Sequence, residues 1–322
     1  MAVFSDRRVQ AALEDFVSVA QNCGYTQTYG NDDEHSRFFR SIIQKADMNP
    51  RRGITDFSFA GMRRGGFTTQ GMYTFSSDGT AYGGMNRQNP QDVLDLLAHA
   101  KREHDMKPPD VPYVRGSFPR VKPEAPYGAL IARSYSRITP LPVGANPRNA
   151  YVGRDHLWIL REEIDALVKG DFPDSLARRI ALFQLRDNVR GQPAVWKNEQ
   201  IKDLNFEAVP TRSEGSMTVS ISGDFLMTAP YGRGTAQEGF PLPETGYEGR
   251  IEGLLKYDPS RGQVLDFQLL AEGMHWGRSK HNPDEPSGKF PLKIAFVLVD
   301  DDIARNIPPS AAGSGLNYLN PR

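Results

Sequence analysis

Tyr247–Tyr257 (YEGRIEGLLKY) and Gln263–Gly273 (QVLDFQLLAEG) are joined by Asp258-Pro259-Ser260-Arg261-Gly262. Two strand-like runs separated by a short Pro- and Gly-containing link predict an antiparallel hairpin, because those residues supply the turn dihedrals. Upstream, Met217, Val219 and Ile221 alternate with Thr218, Ser220 and Ser222, the period of a strand with one buried face. Downstream, Lys293–Val299 is another apolar strand. Tyr127–Ile138 is a further one, with Leu130, Ala132, Ser134 and Ser136 alternating with Ile131, Arg133, Tyr135 and Arg137. These runs predict a twisted antiparallel sheet of roughly five or six strands, as an α+β layer or a partly closed barrel.

Asp155 is expected to cap a helix reaching about Lys169, with Leu157, Leu160, Ile164, Leu167 and Val168 inward and Gly170 as its stop. Ser175–Asn188 predicts a second helix with Leu176, Ile180, Phe183 and Leu185 inward, so that the two make a helical hairpin on the sheet. Thr228–Gly246 is a Gly/Pro loop carrying Tyr231 and Phe240. Residues 127–307 thus form an α+β domain with a largely antiparallel sheet and a helical hairpin. Residues 308–322, rich in Pro, Gly, Ser and Asn, predict a flexible tail.

Toward the N-terminus, Ser5 or Asp6 can cap a helix through a side-chain oxygen, and Val9, Ala12, Leu13 and Phe16 repeat at helical spacing. Phe16–Ala20 is short and rich in β-branched residues, which predicts a buried strand. Asp33–Ala46 predicts a helix with Phe38, Phe39, Ile42, Ile43 and Ala46 on one face. Thr69–Phe75 and Thr80–Met85 predict a hairpin on Ser76-Ser77-Asp78-Gly79, since Asp and Gly accept positive φ. Asn89 caps and Pro90 opens a last helix, whose Val93, Leu94, Leu97 and Ala100 face the sheet. Residues 1–105 therefore make one domain. Six prolines between Lys107 and Pro126 forbid helix, so 106–126 reads as a stiff linker.

Helix, strand, helix, hairpin, helix is the order of the later part of a thioredoxin fold. Phe4-Ser5-Asp6-x-x-Val9 followed by Phe16-Val17 resembles the segment after the active-site helix in one branch of thioredoxin-like proteins. In that branch a C-x-x-C pair lies upstream, whereas here three residues precede Phe4. The place where the family sets Thr and a cis-proline beside its active site is best matched by Thr68-Thr69-Gln70, with no proline. The resemblance covers about a third of the chain and implies an α/β thioredoxin-like N-terminal domain that lacks the redox dithiol. Gly153–Trp158, Asp187–Gly191 and the Tyr247–Gly277 hairpin resemble parts of a bacterial family that joins such a domain to a second one. That resemblance implies no activity.

Lys plus Arg equal Asp plus Glu at 39 each, so no global field steers the chain to nucleic acid or to an anionic membrane. Arg51-Arg52 and Arg63-Arg64 are the local basic pairs, read as a solvated loop. No run of about 18 apolar residues exists, and no basic region followed by an apolar core opens the chain. A lone Cys23 excludes an internal disulfide, which fits a reducing compartment and a soluble, cytoplasmic protein. Cys23 has no His or Lys adjacent in sequence to lower its pKa and reads as an inert thiol.

The densest polar and aromatic constellation is in the second domain. Asp155, His156 and Trp158 open one expected helix, Asp187, Asn188 and Arg190 end the next, and Met274-His275-Trp276-Gly277 ends a strand. If the helices lie over the sheet, the three groups can converge. His156 and His275 would then bind a metal with Glu162 or Glu163, or act as acid and base, while Trp158 and Trp276 wall a ligand and Arg190 clamps an anion. Against the metal, His156 and Glu163 are two helical turns or ~10 Å apart, and no H-E-x-x-H spacing exists. The structural alternative makes Asp155 a cap, Arg190 an ion-pair partner and the tryptophans core. The loop Gly61–Gly71 matches neither the dinucleotide fingerprint nor the P-loop, and no nucleophile elbow is present, so no cofactor is specified.

These readings lead to a non-redox binding or scaffold protein that takes a protein partner or a small ligand, with homodimerisation compatible. The alternative is an enzyme or metal-binding protein with its site around His156, Arg190 and His275.

Overall fold

The computed structural model describes residues 2–18, 37, 71–85, 89–106, 123–189, 193–213, 215–230, 244–277, 285–299, 305, 307–312 and 317–321. The chain divides into two units, Met1–Pro123 and Glu124–Arg322. Among the described residues no helix is long and apolar enough to cross a membrane.

In the first unit, Asp6 caps helix α1 (Arg7–Leu13) by accepting the Arg8 N–H at 2.9 Å. The Arg8 side chain also binds this carboxylate and holds its pKa down at about 2. Strands β1 (Met72–Phe75) and β2 (Ala81–Met85) form the antiparallel hairpin on Asp78-Gly79, where the Asp78 carboxylate accepts the Thr80 N–H at 2.9 Å. Helix α2 (Pro90–Met106) starts as the sequence predicts, with Asn89 accepting the Gln91 N–H at 2.8 Å. Val3, Val9, Met85, Val93, Leu96 and Leu97 make the core of this unit. Phe16–Ser18 is not strand: the chain turns out of α1, and the Phe16 N–H donates to the Leu13 carbonyl at 3.0 Å. Of the expected helix at 33–46 only residue 37 is described, in helical conformation, and Cys23 and the segment 61–70 lie outside the described residues.

The second unit is built on a seven-stranded, wholly antiparallel sheet. Its strands are β3 (Leu130–Ile138), β4 (Gly153–Ile159), β5 (Ile201–Ser213), β6 (Ser216–Pro230), β7 (Glu244–Asp258), β8 (Gln263–Trp276) and β9 (Lys289–Leu298). The spatial order is β4-β3-β9-β8-β7-β6-β5. The hairpin of the sequence reading is β7–β8, with Ile251 opposite Ala271 and Leu255 opposite Phe267. One face is apolar over most of its length. Phe290, Leu292, Ile294 and Phe296 of β9, Phe267, Leu269 and Ala271 of β8, and Tyr247, Ile251 and Leu255 of β7 are all buried there. Gly249 and Gly273 face each other across β7 and β8, and a Cβ on either would lie 2.2 or 1.9 Å from the facing carbonyl oxygen. The two backbones approach so closely that only glycine fits.

Several expectations need correction. Asp155 does not cap a helix, because Gly153–Ile159 is the edge strand β4, paired residue by residue with β3. Leu157, Trp158 and Ile159 are all buried, and a short run apolar on both faces does not distinguish strand from helix by period alone. The helix begins later, as α3 (Arg161–Leu167), where the Glu163 carboxylate accepts the Leu160 N–H at 2.9 Å. Helix α4 (Asp174–Phe183) stops short of Asn188. Gln184 leaves the helix to accept from the Ser134 hydroxyl at 2.8 Å and donate to the His156 carbonyl at 2.9 Å. The sheet has seven strands because two edges join the five expected ones: β4, read as helix, and β5, whose largely exposed side chains apolar patterning does not reveal. Of the expected 228–246 loop, Thr228–Pro230 continues β6 and Glu244–Gly246 opens β7.

The described part of 308–322 is not a flexible tail. Ala311 and Tyr318 are 3% and 4% exposed and belong to the core. Tyr318 packs edge-on against Trp158 at 5.7 Å, and its hydroxyl faces the Trp158 N–H of the edge strand at 3.5 Å. The segment covers a sheet edge that would otherwise offer unpaired backbone groups. Arg179 of α4, wholly buried, ties it down. The guanidinium donates to Glu163 twice, at 2.7 and 3.0 Å, to the Trp158 carbonyl at 3.2 Å, to the Tyr318 carbonyl at 3.1 Å and to the Leu319 carbonyl. Arg179→Ala strands a buried carboxylate and is expected to cost about 3–5 kcal/mol. Arg178→Ala, which breaks the exposed pair to Asp174 and a hydrogen bond to Asn198, is expected to cost about 1–2 kcal/mol. Urea unfolding of both variants checks the difference.

Candidate functional site

The inward face of the sheet is apolar beneath α3 and α4 and turns polar where β8 ends and β9 begins. Three chain segments meet there. His275 lies on β8 opposite Tyr247 of β7 and Phe290 of β9, with ring centroids 5.8 and 5.1 Å away. Asp187 comes from the turn after α4, and its Oδ1 accepts the Val189 N–H at 3.0 Å. Glu285 precedes β9 by four residues. One donor atom from each of Asp187, His275 and Glu285 lies within 4.8 Å of the others. The three residues are 0%, 5% and 4% exposed. The Tyr247 hydroxyl donates to the Leu292 carbonyl at 2.9 Å, so its ring is a fixed wall of the cluster. Burial, and then the nearby Asp187 charge, push the Tyr247 hydroxyl far above the ordinary tyrosine range, keeping it a neutral donor.

Asp187 is set in place by its neighbours. Asn188 crosses β4 so closely that a Cβ on Gly153 would lie 2.0 Å from the Asn188 carbonyl oxygen. Arg186 turns the other way, 3.5 Å from Asp155, and donates to the Ser310 hydroxyl at 2.8 Å and the Pro193 carbonyl at 3.0 Å. Asp155 also accepts from the Ser310 hydroxyl at 2.6 Å and from the Ser310 and His156 N–H groups at 2.8 Å each. Burial pulls the Arg186 pKa down, and the Asp155 carboxylate opposes that shift.

The structure separates the residues that the sequence grouped. His156 sits opposite Arg133, which sits opposite Val297, whereas His275 sits opposite Phe290. Seven steps along β9 amount to ~23 Å at ~3.3 Å per residue, and the two imidazoles lie on opposite faces of the sheet. They share no site. Asp155 holds the C-terminal segment, Trp158 packs on Tyr318, and Glu163 is committed to Arg179 and to the Ser175 hydroxyl at 2.6 Å. Glu162 is exposed on α3. Trp276 is buried, with the Lys289 ammonium 4.2 Å over its ring. Arg190 and Cys23 lie outside the described residues. The residues that do join His275 are Asp187, which belonged to the sequence constellation without a ligand role, and Glu285, which was not singled out. The only sequence signal for Glu285 is its place in a polar Asp-Glu-Pro stretch shortly after His275.

On the outer face, Asp224, Arg250, Glu272, Met274 and Lys293 line a shallow groove of about 510 Å³. Glu272 accepts from Lys293 at 2.9 Å and from Arg250 at 3.3 Å. No protein-family model, curated protein or solved structure matches this chain.

The outer-face charges supply a pH dependence. Hydrogen bonds from Lys293 and Arg250 hold the Glu272 carboxyl below the usual glutamate range. A carboxylate with a lowered folded-state pKa adds stability above its unfolded pKa, ~4.3, and loses it as pH falls through the folded value. Glu272→Gln is therefore expected to flatten the acid limb of stability while leaving the slope near neutral pH unchanged. Urea midpoints from neutral pH down to acid check this, and added salt should shrink the difference.

Proposed function

We propose that this chain is a non-redox binding protein whose ligand site is the interior of the second unit at Asp187, His275 and Glu285. The observation that carries the reading is the convergence of those three side chains, from three separate segments, at the polar end of an otherwise apolar face. Burying carboxylates and an imidazole is costly, and apolar residues of similar volume often serve stability as well or better. Glu163–Arg179 and Asp155–Arg186–Ser310 tie elements together. The third cluster brings together two carboxylates and an imidazole, the donor types that bind a metal ion or a polar ligand. This revises the alternative built on His156, Arg190 and His275: His275 stays and is joined by Asp187 and Glu285 instead of His156, while Arg190 lies outside the described residues.

The first unit serves as an interaction module. The β1–β2 hairpin followed by α2 matches the end of the thioredoxin-like order and is what supports that reading, while no strand forms over 16–18. One cysteine in the sequence speaks against dithiol exchange. Two measurements test the proposal. Insulin reduction is expected to stay at the uncatalysed rate, and turnover would sink the non-redox reading. Native mass spectrometry of protein purified without chelator is expected to find a bound mass in wild type and His156→Ala that is absent from His275→Ala. Equal mass excess in all three, or none in any, removes the interior site.

A further inference from the structure

We propose that Asp187, His275 and Glu285 hold a divalent first-row transition-metal ion, with Zn²⁺ the representative occupant. This rests on the interior-site reading above and gives it a ligand class. The donor set is one imidazole and two carboxylates, with one donor atom from each residue within 4.8 Å of the others. A tetrahedral ion with bonds of ~2.0–2.1 Å keeps its donors ~3.3 Å apart. The three atoms therefore need to draw in by at most ~1.5 Å, within the reach of side-chain torsions. Mixed imidazole and carboxylate donors suit zinc and its neighbours better than calcium or magnesium, which favour all-oxygen shells.

Charge points the same way. Two carboxylates offer the negative charge that a divalent cation balances, and an imidazole binds such an ion in its neutral form. The surroundings are those of a held ligand set. Asp187 is oriented by the Val189 N–H at 3.0 Å. His275 is wedged between the Tyr247 and Phe290 rings, at 5.8 and 5.1 Å. The Tyr247 hydroxyl is engaged by the Leu292 carbonyl at 2.9 Å, which leaves that tyrosine out of the ligand set. Three protein donors leave at least one coordination position for water or a further ligand.

The test strips the full-length protein with EDTA, then titrates it with Zn²⁺ by calorimetry and with Co²⁺ by visible absorption. Wild type is expected to take one equivalent of either ion, Co²⁺ showing the d–d bands of a nitrogen/oxygen site. His275→Ala, Asp187→Asn and Glu285→Gln are expected to weaken Zn²⁺ binding by at least ~100-fold, beyond what outer-shell partners contribute. His156→Ala, on the far face, is expected to leave it unchanged. Asp187→Asn and Glu285→Gln keep side-chain size, and circular dichroism in EDTA confirms that each variant is folded. The proposal is overturned if folded wild type binds neither ion with a Kd below ~1 mM, or if folded variants keep wild-type affinity. If Zn²⁺ fails while a His275-dependent mass persists in native spectra, the metal assignment falls and the interior site stands. If both are absent, both fall.

Discussion

The second unit depends on one guanidinium. Arg179 is wholly buried, and an isolated charge there would be prohibitively costly. It is tolerated because all five of its N–H donors are matched: two by the Glu163 carboxylate and three by the carbonyls of Trp158, Tyr318 and Leu319. The planar fork fixes the directions as well as the distances, which an ammonium would not. Through it α4 is tied to α3, to the edge strand β4 and to the C-terminal segment at once. Each of those elements is short or irregular, and none would hold its place by apolar area alone.

Once that edge is sealed, the inward face of the sheet becomes a closed interior with two characters. Beneath the helices it is aliphatic and aromatic. At the β8–β9 end it admits Asp187, His275 and Glu285. The division follows from where the helices stop. α4 ends at Phe183, and the chain then crosses β4 as an irregular turn whose polar side chains must find partners. Gln184 finds Ser134 and the His156 carbonyl, Arg186 finds Asp155 and Ser310, and Asp187 reaches the cluster. Adjacent residues thus serve separate networks, because an extended or turning backbone sends neighbours in different directions.

Much of the sheet was legible in the sequence, for local reasons. The β7–β8 hairpin and the strands β3, β6 and β9 carry strand-like runs, alternation or turn residues that need no knowledge of distant contacts. β4 was misread because its Leu157, Trp158 and Ile159 are apolar on both faces, and only the covering Tyr318, some 160 residues away, explains that. β5 was missed because it is an edge strand with mostly polar, exposed side chains. The site was half legible. His275 at a strand end drew attention by its chemistry, but the register that places His156 seven positions away is a property of four strands in three pairings. Glu285 joins only through the return of the chain into β9. Neither spacing nor period encodes such meetings.

A single peptide link, Arg186–Asp187, separates the network that holds the C-terminal segment from the interior cluster. Asp155 accepts three N–H or O–H donors from Ser310 and His156 and stands against Arg186, so the C-terminal segment helps set the backbone from which Asp187 projects. The thermodynamic consequence runs both ways. A ligand that binds only the folded cluster stabilises the folded state by mass action, and some of that stabilisation is carried to the segment that seals β4. Conversely, loosening of the segment spreads the positions Asp187 can take and lowers the population in which three donors are close enough to share one ligand. On the proposed reading, the packing of the chain end would thus bear on binding, although none of its described side chains belongs to the proposed donor set.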